Sequence, residues 1–236
     1  MTTRTQTGWD QLIYPDSDGQ PMSDNTLQFQ WIVTLQGNLD VVFHNDPQVF
    51  VAGDLLWYAV EGRPDIRCAP DVLVAFGRPK GYRGSYRQWE EGGVAPQVVF
   101  EVLSPGNRPE EMDRKRAFYD VYGVEEYYLY DPDGIELSGW RRQEGRLLPI
   151  PQLDAWVSPR LGIRFELSDE DMVVFRPDGT RFLTFLELAH EREQMEHQAR
   201  QARQQADQAK HDAEQARQHA ERLAAQLRAM GIEPET

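Results

Sequence analysis

Two carboxylates and one amine carry the chemistry that this sequence offers. Asp71 lies in the run APDVLVAFG, Glu101 in APQVVFEVLSP, and Lys115 follows in NRPEEMDRKRAFYDVYG. An ionised carboxylate among valines and leucines is costly unless a cation or several donors meet it. Both runs read as short strands. The first begins near Pro70 and ends at Gly77; the second spans Gln97 to Leu103, before Ser104-Pro105-Gly106. Neither alternates cleanly, so both faces of each should be covered. If they pair antiparallel with Phe76 near Pro96, Asp71 falls opposite Glu101. Directly opposed residues have Cβ atoms about 5 Å apart, so two like charges there repel. A divalent cation resolves that conflict, and hard oxygen ligands of this kind suit Mg²⁺ or Mn²⁺. The alternative is that both acids cap turns or pair with arginines.

The lysine belongs to a helix. Pro109 fits its first position, Glu110 and Glu111 favour the positive end of the dipole, and Gly123 ends it. Met112, Lys115, Tyr119 and Tyr122 step by three, four and three, so they share a face. That phase turns Lys115 toward the strands and Asp113 and Arg114 elsewhere. The alternative is a lysine that runs its stem along apolar surface to reach water.

Further elements must position these groups. Ser23 or Asp24 can cap a helix through about Val42, with Leu27, Trp31, Thr34 and Leu35 on one side. Val49 to Ala52 and Leu55 to Val60 read as strands around Gly53-Asp54, where Asp54 suits a turn or bulge and is also a possible extra acid. Tyr127 to Tyr130 is a strand ended by Asp131-Pro132-Asp133-Gly134. Glu136 to Arg141 and Arg146 to Ile150 form a hairpin about Glu144-Gly145. The loop between the two acidic strands carries Arg78, Lys80, Arg83 and Arg87 among Tyr82, Tyr86 and Trp89. Such a cluster could contact phosphates and stack on bases; the alternative is a solvated loop.

The chain has 236 residues, enough for one good core and an appendage. Its net charge of −14 argues against a general nucleic-acid coat, though local charge decides what a site binds. The single cysteine, Cys68, allows no internal disulfide and points to a reducing cytoplasm. MTTRTQTGWD has no apolar signal core, and no run approaches a membrane span. From about Phe182 the composition changes. Met195, Ala199, Ala202, Ala206, Ala209, Ala213, Ala216, Ala220, Leu223, Leu227 and Met230 alternate spacings of four and three. This heptad seam predicts a long helix that pairs as a coiled coil. Its alanines bury little area each, so association should be modest. The alternative is a solitary solvated helix.

The ordered set VFVAGDLLWY, APDVLVAFG, VVFEVLSPGNR and EMDRKRAFYDVYGVEEYYLYDP resembles the Uma-two family of restriction endonucleases, over roughly residues 10 to 186. That family is placed in the PD-(D/E)xK nuclease superfamily. The resemblance implies an α+β fold, a restriction-endonuclease-like mixed β-sheet core flanked by helices, over residues 1–182. The long C-terminal helix takes residues 183–236. Asp71 matches the motif aspartate and Glu101 its acidic partner. The usual lysine position, two residues after the acid, is Leu103 here. Lys115 matches the place of a lysine that has moved to the following helix.

The resemblance implies an Mg²⁺-dependent (or Mn²⁺-dependent) endonuclease acting on DNA, with RNA the other candidate. Asp71, Glu101 and the Val102 carbonyl would hold the ion, and Lys115 would assist the attacking water. Arg78, Lys80, Arg83 and Arg87 would contact the backbone, and the chain would dimerise through the domain and its tail. The competing reading is an inactive nucleic-acid-binding or scaffold module on the same fold. A glycosidase using the two acids is a weaker fit, because it leaves Lys115 without a role.

Overall fold

A computed structural model describes residues 13–17, 19 and 23–230. The N-terminal decapeptide and part of the turn-rich run 14–21 lie outside the described residues. The chain divides into two compact units, Met1–Thr184 and Phe185–Thr236.

The first unit is built on a six-stranded mixed sheet in the order β1-β4-β6-β7-β8-β9. Its strands are β1 (Val49–Gly53), β4 (Val72–Phe76), β6 (Val98–Val102), β7 (Glu126–Asp131), β8 (Glu136–Gln143) and β9 (Arg146–Pro149). Within this sheet, among the described residues, only β6 and β7 pair in parallel, and helix α2 (Pro109–Tyr122) connects them, as a parallel pair requires a crossover. Glu144 and Gly145 both take positive φ, 50° and 83°, which lets the two-residue hairpin turn follow the strand twist.

Strand periodicity sorts the core. Val72, Val74, Val98, Phe100 and Val102 pack with Ile32, Leu35 and Leu39 of α1 (Thr26–Val42) and with Phe165 of the hairpin β10–β11 (Arg164–Leu167, Met172–Phe175). Leu73, Ala75 and Val99 pack on the other face, with Tyr119 of α2 and Tyr127. Asp71 and Glu101 continue that second set by alternation, so both acids belong to the α2 side. A small sheet of β3 (Arg67–Cys68), β2 (Trp57–Tyr58) and β5 (Tyr86–Arg87), in that order, adds Trp57 and Tyr86 to that core.

Helix α1 differs from expectation in two respects. Its N-cap is Asn25, whose side chain accepts from the Gln28 N–H at 2.8 Å, and not Ser23 or Asp24. Its buried residues are Gln28, Ile32, Thr34, Leu35, Asn38 and Leu39, so Thr34 and Leu35 face the core as expected and Trp31 packs against it, whereas Leu27 is exposed. Gln28 takes an inward position, where it meets a backbone carbonyl at the site.

The second unit holds α3 (Phe185–Ala229), 45 residues with no buried side chain. Among the described residues, no helix is long and apolar enough to cross a membrane. The core of the first unit is complete at Phe182. Truncation after Leu186 should therefore leave the melting temperature within about 3 °C of the full chain. Sedimentation should show a lower oligomeric state if the alanine seam associates. A full-length chain that sediments as a monomer at tens of micromolar (about the range of weak association) would assign α3 to solvent.

Candidate functional site

The register of β4 against β6 places the two acids. Val72 pairs with Phe100, Leu73 with Val99 and Val74 with Val98. One step further sets Asp71 opposite Glu101, as the sequence predicts. Both are buried. Asp71 Oδ2 accepts from the Val102 N–H at 2.7 Å, so the side chain extends the ladder past its last backbone pair. The Asp71 carbonyl in turn accepts from the Asp54 N–H.

Helix α2 supplies the counter-charge. Lys115 Nζ donates to Glu101 Oε2 at 2.8 Å and lies 3.4 Å from the Ala69 carbonyl. The Tyr119 hydroxyl, one turn on, donates to Glu101 Oε1 and also lies 3.2 Å from the Cys68 sulfur. Pro109 starts this helix and Gly123, at φ 101°, ends it in the left-handed region, which fixes the lysine's height over the sheet.

Burial decides the electrostatics. It raises the Asp71 carboxyl well above its ordinary value of 3.8, and the Glu101 charge adds to the rise. Lys115 and the Val102 N–H oppose this without cancelling it. For Lys115, burial works against the charge. The Glu101 carboxylate, with Cys68 and Asp71, outweighs it and holds the ammonium above the usual lysine range. Burial also pushes the Cys68 thiol up to about 12, so it is not a nucleophile at neutral pH.

These groups border a cavity of about 550 Å³, which also meets Asp24, Gln28 and Asp54. Gln28 Nε2 donates to the Val102 carbonyl at 2.8 Å, and Asp24 Oδ2 accepts from Ser104 Oγ at 2.6 Å. Together they tie the start of α1 to the end of β6. Asp54 has φ 46°, as a turn residue, and its N–H donates to the Asp71 carbonyl at 3.0 Å. Among the described residues, no three His, Cys, Asp or Glu side chains are grouped to hold a metal ion. The hard oxygen donors of the sequence expectation, Asp71, Glu101 and the Val102 carbonyl, all border the cavity, and Gln28 takes only one lone pair of that carbonyl. A divalent ion fits the chemistry of that set, because it would relieve the buried Asp71–Glu101 repulsion.

Helix phase places Arg114 differently from expectation. The cavity face of α2 is Glu111, Arg114, Lys115 and Phe118, spaced as one helical stripe. Arg114 thus turns to the cavity, while Arg116 pairs with Asp113 at 2.9 Å and lies over Trp140. The loop cations stand away from it. Arg83 pairs with Glu91 at 2.5 Å and covers Phe50; Arg87 pairs with Glu90 at 3.2 Å. Lys80 pairs with Asp40 at 3.5 Å, and Arg78 donates to the Glu91 carbonyl at 2.7 Å. None of the four lines the cavity. Sequence reading missed Gln28, Arg67, Arg114 and the Tyr119 donor. Arg114 carried a signal in its i+3 spacing from Glu111, and Tyr119 in its i+4 spacing from Lys115.

The two acids should respond oppositely to removal in metal-free protein. The folded state keeps the Asp71 proton where the unfolded chain has lost it. It then binds more protons, so stability falls as pH rises above 3.8. Asp71→Asn stays neutral, so urea melts should find it more stable than wild type at neutral pH, by a margin that widens as pH rises. Glu101→Ala leaves the half-buried Lys115 without its partner and should lose about 1–3 kcal/mol. Equal losses for both variants would contradict this account.

No match is found among curated proteins. Among solved structures, a putative nuclease belonging to DUF820 from Anabaena variabilis is similar, with a TM-score of 0.45 and 16% identity. The match covers 60% of this chain and 78% of that one. Residues 19–180 match Uma2, described as "Putative restriction endonuclease", and the chain belongs to that family.

Proposed function

We propose that the chain is a divalent-metal-dependent endonuclease that hydrolyses phosphodiester bonds in DNA, with Asp71, Glu101 and Lys115 as its catalytic residues. One observation carries the reading: Lys115 meets Glu101 at 2.8 Å in the same cavity as Asp71, although the three come from separate elements. Membership of the Uma2 family supports it.

Asp71, Glu101 and the Val102 carbonyl would hold Mg²⁺ or Mn²⁺. A divalent ion bound there supplies Lewis acidity toward a phosphate oxygen and a water of lowered pKa. The protein's own groups do the positioning. The Val102 N–H orients Asp71, Tyr119 orients Glu101, and Gln28 fixes the Val102 carbonyl. Lys115 stays charged, so it donates rather than abstracts a proton. Its role is to orient the attacking water and stabilise charge developing on the phosphate. The nuclease domain takes residues 1–182, and the segment 183–236, through α3, pairs two copies as a coiled coil in the cytoplasm.

A second reading has its own support. Both Glu101 oxygens accept hydrogen bonds, from Lys115 and from Tyr119, as they would in a structural ion-pair cluster. The domain would then bind nucleic acid without cutting it.

Nicking of supercoiled plasmid with Mg²⁺ or Mn²⁺ separates the two. Wild type should nick and Glu101→Gln should not. Lys115→Ala should turn over about two to three orders of magnitude more slowly, as when one preorganised donor is lost, while keeping its Mn²⁺ affinity. Lys115→Arg should restore only part, because guanidinium geometry differs. Wild-type cleavage by Glu101→Gln would overturn the proposal, and a wild type that holds Mn²⁺ but never nicks would favour the second reading.

A further inference from the structure

An anionic substrate meets an unfavourable field at this cavity. Asp24, Asp54, Asp71, Glu101 and Glu111 all border it, in a chain of net charge −14. Three cations border it as well: Arg67, Arg114 and Lys115. Lys115 is committed to Glu101. Arg67 of β3 and Arg114 of α2 are exposed. Among the described residues, neither guanidinium makes a hydrogen bond or an ion pair. The loop cations Lys80, Arg83 and Arg87 are each matched to an acid, and Arg78 to a carbonyl. A phosphate approaching those must displace a partner; one approaching Arg67 or Arg114 need not. Guanidinium groups also suit phosphate oxygens through paired N–H donors. Phe118 adds an aromatic wall to the same cavity.

We infer that Arg67 and Arg114 form the phosphate-receiving rim of this cavity, holding a phosphodiester backbone beside Asp71 and Glu101. The identity of the substrate as nucleic acid rests on the nuclease reading. The assignment of the rim does not depend on cleavage. Arg67 comes from the small sheet and Arg114 from the helix that carries Lys115. The backbone is thus gripped from two elements that meet at the acids. Neither contact reads base identity, so the rim should bind without sequence preference.

The full-length protein tests this by fluorescence anisotropy with a labelled DNA duplex and the matching single strand, in EDTA, over a salt series. Arg67→Ala and Arg114→Ala should each weaken binding by about tenfold and lower the salt slope by about one, and the double variant by about two. Mn²⁺ affinity, measured by calorimetry, should not change. Arg78→Ala/Arg87→Ala, in the loop, should move neither DNA affinity nor slope. Wild-type affinity and slope in the rim variants, with loss in the loop variant, would overturn the inference. So would failure of the wild type to bind either DNA. Binding that depends on the rim, in a wild type that never cleaves with Mg²⁺ or Mn²⁺, would uphold the rim and sink the nuclease reading alone.

Discussion

Three ionisable groups share the low-dielectric end of one sheet, and the ion pair between Lys115 and Glu101 makes that arrangement tolerable. Two carboxylates on adjacent strands repel, and burial raises the cost of both charges. The Lys115 ammonium offsets part of it, and the Tyr119 hydroxyl and the Val102 N–H satisfy one oxygen of each acid. Breaking a buried pair from one side costs about 3–5 kcal/mol, whereas exposed pairs such as Arg87 with Glu90 contribute about 1 kcal/mol or less. The site therefore constrains the fold more than the surface pairs do. Its remaining imbalance, the raised Asp71 carboxyl, is the property a divalent cation would exploit.

Much of this was legible in the sequence because the relevant periods are short. Gly77 and the Ser104-Pro105 turn bound two strands of five residues, and that leaves little freedom in register. The pairing of Asp71 with Glu101 follows. Helical spacing likewise brought Lys115 to the sheet. It fixed the rotation of α2 less well, because an apolar stripe is broad and the cavity lies to one side of it. Spacing alone puts Arg114 on the wrong side of α2 for that reason.

Other features depend on contacts that no local pattern records. Gln28 reaches the Val102 carbonyl across 74 residues, and a glutamine on a helix face reads as ordinary solvated surface. The partners of the loop cations were nearer to hand. Glu90 stands three residues after Arg87, and Glu91 eight after Arg83. A basic cluster interleaved with its own acids spends its charge internally, whatever its composition suggests.

The central claim is that Asp71 and Glu101 form one hard-cation site whose charge Lys115 balances in the ion's absence. Crystals soaked in Mn²⁺ and measured near the manganese absorption edge test it most directly. The account predicts an anomalous peak within coordination distance of both carboxylates and the Val102 carbonyl, with Lys115 still inside the cavity. A peak elsewhere, or none at a Mn²⁺ concentration that saturates solution binding, would contradict it.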